Sequence, residues 1–309
     1  MFSVDKPILV LLSTYNGNLY LREQLDTIIS QKGVDVHILV RDDGSNDGTQ
    51  KILEQYSLAH PCMISWYQGE NMRSARSFMD LIYKAQDFDY EYYAFADQDD
   101  YWMDDKLLAA INQLSKAGKS DTPLLYFSQY QMADKNLNML PTVGLSPTIS
   151  FGHAMVDNVV TGCTIVFNKY LLRKIGYYMP DYMIMHDDWI YKICLGVGGT
   201  VVYDPIPHIL YRQHGGNVIG GIGNSLIKKW CIRMKKIFSS NDNHRLKIAM
   251  ELKKGYYGAL TENNKILLDS IIGYKKSFNR FKLLINKQLQ GQSLEGSIRC
   301  KFMLLTGKF

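Results

Sequence analysis

Between Ile8 and Asp100, short apolar segments alternate with helical ones, and each short segment stops at a polar cluster. Ile8-Leu9-Val10-Leu11-Leu12 is a continuous apolar run ending at Ser13-Thr14-Tyr15-Asn16-Gly17. That pattern predicts a buried strand entering a polar loop. Leu19, Leu21, Leu25, Ile28 and Ile29 then mark one helical face, and Val34, Val36, Ile38 and Val40 alternate as a second strand. This strand is stopped by Arg41-Asp42-Asp43-Gly44-Ser45-Asn46-Asp47-Gly48. Ile52, Leu53 and Tyr56 suggest a second helix, Met63 to Tyr67 a third strand, Ser74 to Ala85 a third helix and Tyr92 to Ala96 a fourth strand. Strand and helix in this alternation predict an α/β chain whose mostly parallel sheet is flanked by helices on both faces. Such sheets place ligands at the carboxyl ends of their strands, where the polar clusters fall.

The middle of the chain is less regular. Leu124 to Phe127 and Val159 to Phe167 read as strands, Tyr170 to Ile175 and Asp188 to Leu195 as short helices, and Val201 to Tyr203 and His208 to Arg212 as closing strands. Gly215-Gly216 and Gly220-Gly221 mark a boundary, giving an α/β region over 1–220 and a helical extension over 221–309. In the extension, Leu226, Ile227, Trp230, Met234, Ile237 and Phe238 recur at helical spacing among lysines, as do Leu267, Ile271, Tyr274, Phe278, Phe281 and Ile285.

Charge divides at the same place. From Ser225 onward there are 18 Lys and Arg against 5 Asp and Glu, a charge of +13, whereas the residues before it carry 17 against 25, or −8. The five cysteines are scattered and lack CxxC spacing, which argues against a disulfide framework and for a reducing compartment. The amino terminus has no basic region ahead of its short apolar run, and no stretch reaches the roughly 18 apolar residues of a spanning helix. The expectation is a cytoplasmic protein, soluble or peripheral on the inner face of the cell membrane.

Three polar constellations carry chemistry. Asp97-Gln98-Asp99-Asp100 directly follows the fourth strand, and carboxylates crowded at a strand end call for a cation. Mg²⁺ or Mn²⁺ suits carboxylates with substrate phosphates, while the alternative is that Asp100 or Asp104 caps the following helix. Asp43 to Glu54 approximates a calcium loop, but a strand enters it where that motif needs a helix, so an aspartate pair meeting a nucleotide base or ribose fits better. Met185-His186-Asp187-Asp188-Trp189 lies at a loop-to-helix junction, where an aspartate either caps the helix or serves as a general base. His208 and His214 lack partners at zinc spacing. No nucleophile elbow, no Gly-Lys-Ser/Thr phosphate loop and no dinucleotide fingerprint occurs.

Several motifs in order then make the chain recognisable. They are Leu12-Ser13-Thr14-Tyr15-Asn16-Gly17, Arg41-Asp42-Asp43-Gly44-Ser45 with Asp47-Gly48-Thr49, and Phe95-Ala96-Asp97-Gln98-Asp99-Asp100-Tyr101-Trp102 with Asp105-Lys106-Leu107. Thr161-Gly162-Cys163-Thr164, His186-Asp187 with Trp189, and Tyr211-Arg212-Gln213-His214-Gly215-Gly216-Asn217-Val218 follow. Over about residues 6–220 the chain resembles the family 2 glycosyltransferases of the GT-A fold, especially bacterial rhamnosyltransferase-like enzymes of surface polysaccharide synthesis.

The resemblance implies a Rossmann-like GT-A domain, a nucleotide-sugar donor and inverting transfer to an acceptor hydroxyl. Asp97-Gln98-Asp99 looks like the family's DXD motif, with Asp97 near the ribose or sugar and Asp99 the metal ligand. Asp43 is similar to the base-contacting aspartate, Thr14 and Tyr15 line the nucleotide pocket, Asp187 matches the catalytic base, and His214 looks like the loop residue that approaches the diphosphate or metal. Asn71-Met72-Arg73 departs from the family's Asn-x-Gly, leaving Arg73 or Arg76 to meet the diphosphate or to lie on a solvated helix face. The flavour of the motifs favours dTDP-rhamnose over a UDP-hexose; a nucleotidyltransferase is the competing class. A lipid-linked saccharide is the expected acceptor and nucleic acid is not an expected partner. The basic extension suits an anionic membrane surface or a homodimer interface.

Overall fold

Lys6–Thr14 forms strand β1, and every side chain from Ile8 to Leu12 is buried. An uninterrupted apolar run is what a strand flanked on both edges and covered on both faces requires. Strands β2 (Val34–Asp42) and β4 (Tyr92–Ala96) pair with β1 in parallel, placing Leu12 opposite Val40 on one side and Ala96 on the other. This register brings the carboxyl ends of the three strands to one edge. With β3 (Ile64–Gln68), β6 (Leu124–Ser128), β8 (Val166–Asn168) and β9 (Thr200–Asp204) they form a seven-stranded sheet ordered β3-β2-β1-β4-β8-β6-β9. Within it only β8 runs antiparallel to its neighbours. A small second sheet, ordered β5-β10-β7, joins β5 (Tyr101–Trp102), β10 (Ile209–Arg212) and β7 (Gln131–Ala133).

The helices interleaved with these strands are α1 (Leu21–Ile29), α2 (Thr49–Ala59), α3 (Arg73–Ala85), α4 (Lys106–Ala117), α6 (Lys169–Ile175) and α7 (His186–Gly196), while α5 (Phe151–Ala154) belongs to the second unit. The computed structural model describes residues 6–119, 121–214 and 243–309. The chain divides into two units, the first comprising Met1–Ser146, Val160–Met179 and Met183–Gln213, the second Pro147–Val159, Pro180–Tyr182 and His214–Phe309.

One expected strand is mostly absent. Of the apolar stretch from Val159 to Phe167 only Val166 and Phe167 join the sheet, and Gly162–Thr164 form a single 3₁₀ turn. The Thr164 amide and hydroxyl both donate to the Thr161 carbonyl, at 2.9 and 2.8 Å, so local bonds replace the ladder.

The second unit is helical: α5, α8 (His244–Tyr256), α9 (Glu262–Ile272), α10 (Ser277–Ile285) and α11 (Leu294–Thr306). Its segment 147–159 is held by Arg245, which donates to the Val156 carbonyl at 2.7 Å, and by the Arg299–Asp157 ion pair at 2.8 Å. Thr261 and Ser293 cap α9 and α11 by accepting amides three residues on. The apolar stripe from Leu267 to Ile285, expected as one helix, is two. Leu267, Ile271 and Tyr274 are buried, the chain breaks after Ile272 at Gly273, and Phe278, Phe281 and Ile285 are exposed on α10. The stripe from Leu226 to Phe238 and the boundary at 220 lie outside the described residues.

Candidate active site

At the carboxyl edge of the sheet, the acidic segment after β4 is fastened to the end of β1 through Gln98. Its Oε1 accepts the Thr14 hydroxyl at 2.6 Å and the Tyr15 amide at 2.9 Å, while its Nε2 donates to the Tyr15 carbonyl at 3.1 Å. Asp97 and Asp99 are thereby fixed on either side of an anchored residue. Gly17 permits this approach, since a Cβ there would lie 2.4 Å from Gln98 Oε1 and 2.7 Å from Thr14 Oγ1.

The end of β2 builds the adjoining wall. Asp42 accepts the Ser45 amide and hydroxyl and the Gln50 amide nitrogen, closing its own loop. Asp43 is buried against the Arg41 guanidinium and also accepts the Met72 and Arg73 amides, each at 3.0 Å. Arg41 in turn meets Asp80 at 2.8 Å and the Glu70 carbonyl at 3.0 Å. Burial opposes the charge on Arg41, yet Asp43 and Asp80 hold its pKa above the ordinary value. Asp43 thus orders the loop into α3, where Arg73 adopts a left-handed φ of 67°. For a residue with a Cβ that conformation costs about 1 kcal/mol, and Arg73 occupies the position at which the family pattern has glycine. Arg76 is part-buried one turn farther, near the Tyr83 hydroxyl.

Carboxylates converge beyond Gln98. Donor atoms of Asp97, Asp100 and Cys163 lie within 4.8 Å of one another. Burial and then the negative charges of Asp99 and Asp187 push Asp97 up to about 7. Asp100 is raised well above the usual carboxylate range, by burial and by Asp99 and Asp97, and burial raises the Cys163 thiol. Lys106 lies behind this cluster, fully buried, with Nζ 3.6 Å from the centre of the Trp102 ring and no hydrogen-bond partner among the described residues. Burial lowers it to about 7, against the opposing pull of Cys163 and Asp100. Arg212, at the end of β10, clamps the same segment. Its Nε donates to the Asp99 carbonyl at 2.8 Å, its amide to Asp100 at 3.2 Å and its Nη1 to the Lys135 carbonyl at 2.7 Å, and Nη2 pairs with Glu23.

Two aspartates open α7, and their surroundings separate them. Asp188 is committed to a buried ion pair with Lys192 one turn on. Asp187 accepts the amides of Asp188, at 2.6 Å, and of Gly162. Burial, followed by the charge of Asp188, raises Asp187 to about 7. His186 stacks on Phe78 with ring centres 4.0 Å apart, and burial drives it down to about 3, so it is neutral at physiological pH.

Thr14, Tyr15, Asp43, Asp97, Asp99 and Asp187 all belong to the first unit, whereas His214 belongs to the second. The carboxylates of Asp97 and Asp100, together with the half-buried Asp99, are the hard oxygen donors that Mg²⁺ or Mn²⁺ takes, and Asp100 Oδ2 has no hydrogen-bond partner among the described residues. The Cys163 thiol suits neither ion. Spacing alone does not single out Gln98, Lys106 or Arg212. Gln98 and Arg212 act through partners distant in sequence, and all three residues sit inside recognised motifs. A surface cavity lined by Tyr92, Ser115, Asn168 and Arg173 lies at the opposite, amino-terminal end of β4.

The family model described as glycosyl transferase family 2 matches residues 9–176. The chain is 30% identical over 217 residues to the dTDP-rhamnosyl transferase RfbG of Shigella flexneri, an alignment covering 68% of this chain and 73% of the relative. Among solved structures, TarS 1–349 of S. aureus in complex with UDP-GlcNAc aligns over 98% of this chain and 93% of its own, with a TM-score of 0.54 at 13% identity. The mannosyltransferase PcManGT from Pyrobaculum calidifontis, in complex with GDP-Man and Mn²⁺, aligns over 96% and 75%, with a TM-score of 0.53 at 16% identity.

Proposed function

The chain belongs to glycosyl transferase family 2, with a GT-A fold, and from that premise we propose that it transfers a hexose, with inversion, from a nucleotide-sugar donor to an acceptor hydroxyl. The observation that carries the mechanism is the contrast on α7. Asp188 is neutralised by Lys192, while Asp187 is buried beside the acidic cluster with no ion pair among the described residues. Asp187 takes the acceptor proton as the acceptor oxygen bonds to the anomeric carbon, and the bond from that carbon to the diphosphate oxygen breaks. One base and one displacement invert the anomeric centre.

Asp97 and Asp99, with Asp100 behind them, would hold Mg²⁺ or Mn²⁺, which when bound neutralises charge on the departing diphosphate. Gln98 keeps those carboxylates in register with Thr14 and Tyr15, which line the nucleotide pocket in this reading. Asp43 forms the base end of the pocket through the loop it orders, and Arg76 lies toward the diphosphate. The Shigella relative supports dTDP-rhamnose as donor, and the TarS likeness keeps a UDP-hexose as the second reading. The acceptor is a lipid-linked saccharide of a growing surface polysaccharide. No helix among the described residues is long and apolar enough to cross a membrane. Peripheral attachment to the inner face of the cell membrane, or a homodimer, falls to the basic carboxyl-terminal region.

A donor panel tests this. dTDP-rhamnose, UDP-glucose and UDP-GlcNAc are each incubated with acceptor and Mn²⁺, the released nucleotide is measured, and the product's anomeric configuration is read by NMR. The expected result is release of dTDP with an inverted product. Retention of configuration, or release of pyrophosphate, contradicts the reading.

A further inference from the structure

Helix α10 presents to solvent what a surface helix ordinarily hides. Phe278, Phe281 and Ile285 are 68, 62 and 64% exposed. At 3.6 residues per turn the three fall within about 60° of arc, and Leu283 on the far side is buried. The flanking charges share one sign: residues 275–287 hold Lys275, Lys276, Arg280, Lys282 and Lys287 and no acidic residue. Lys282 lies over the Phe278 ring, 4.4 Å from its centre, so cationic and apolar groups share the face. Helix α11 carries a second exposed stripe, Leu294, Ile298 and Leu305.

Charge decides between the possible covers. The segment 225–238 of this chain contains Lys228, Lys229, Arg233, Lys235 and Lys236 and no acidic residue, so it repels the face. A symmetric dimer through α10 and its flanks, residues 275–287, sets the same five cations against themselves. An anionic bilayer satisfies both halves, taking the aromatic and aliphatic side chains at the headgroup boundary and the lysines at lipid phosphates.

We propose that α10 is a membrane-binding face specific for anionic lipid, with Phe278, Phe281 and Ile285 entering the interface and Lys275, Lys276 and Lys282 pairing with headgroup phosphates. It rests on the membrane part of the function proposed above and is independent of the donor sugar.

The test is co-sedimentation of the full chain with vesicles of phosphatidylcholine, alone or mixed with phosphatidylglycerol. The wild type is expected on mixed vesicles, weakly on phosphatidylcholine, and less so at high salt. F278S/F281S/I285S and K275E/K276E/K282E should each lower the partition by about tenfold or more. Their melting temperature and nucleotide release with a water-soluble acceptor should stay at the wild-type level. Equal binding by either triple variant, or indifference to phosphatidylglycerol, overturns the assignment of the face. Absence of wild-type binding overturns the membrane reading with it, while nucleotide release tests the transferase separately. Self-association that the apolar triple abolishes, without lipid binding, gives the face to a second copy and also overturns the proposal.

Discussion

A glycine at the sheet edge sets a tight geometric condition. Gly17 leaves just enough room for Gln98 to bridge Thr14 and Tyr15, and a methyl group there displaces the amide that anchors Asp97 and Asp99. Gly17→Ala is therefore expected to cost about 1–3 kcal/mol of stability and to weaken nucleotide binding, read by thermal melting and calorimetry with nucleotide and Mn²⁺. Unchanged nucleotide affinity would show that Gln98 does not set the pocket. Protonation makes a second residue-scale prediction. A base must be ionised to accept a proton, and burial with Asp188 lifts Asp187 to about 7. Transfer should thus rise with pH to a plateau above about 7 and fall about tenfold per unit below it. A flat profile from about pH 5 to 8 would remove Asp187 from the proton transfer. The residue types at these positions are readable in the sequence. Their partners are not: Asp43 looks there like a free ligand for a base, but in the fold it binds Arg41 and two loop amides.

Elements show where periodicity suffices and where it fails. Strands β1, β2 and β4 are legible because a buried parallel strand needs an apolar run whatever its neighbours do. The stretch before β8 is apolar apart from Thr161, Gly162 and Thr164, and Thr161 and Thr164 bond to each other and turn the chain. The Leu267–Ile285 stripe keeps helical spacing across a break at Gly273, because spacing does not register a change of axis. Strand β10 is short, but its last residue ties α1, the acidic segment and the loop after β7 together through one guanidinium. Its planar fork makes separate bonds in fixed directions, which an ammonium cannot reproduce. Arg212→Lys should keep the fold yet weaken Mn²⁺–nucleotide binding by about tenfold, about 1.4 kcal/mol, as followed by calorimetry. Wild-type affinity would show that the clamp is structural alone.

At the scale of the molecule, the near-neutral sum of charges conceals two opposed parts. The −8 portion before Ser225 concentrates carboxylates at the carboxyl edge of the sheet, where burial raises Asp97, Asp100 and Asp187 and a divalent ion would relieve them. The +13 portion carries exposed lysines beside exposed aromatic side chains on α10. An acidic site and a proposed lipid-binding face suit an enzyme working on an acceptor held at a surface. The decisive measurement is nucleotide release by Asp187→Asn in the full chain, beside calorimetry of nucleotide and Mn²⁺. The amide is nearly isosteric but a far weaker proton acceptor, so the variant should fold, bind nucleotide with wild-type affinity and lose turnover by about 10²-fold or more. Turnover close to wild type, with binding intact, would contradict the assignment of Asp187 as the base.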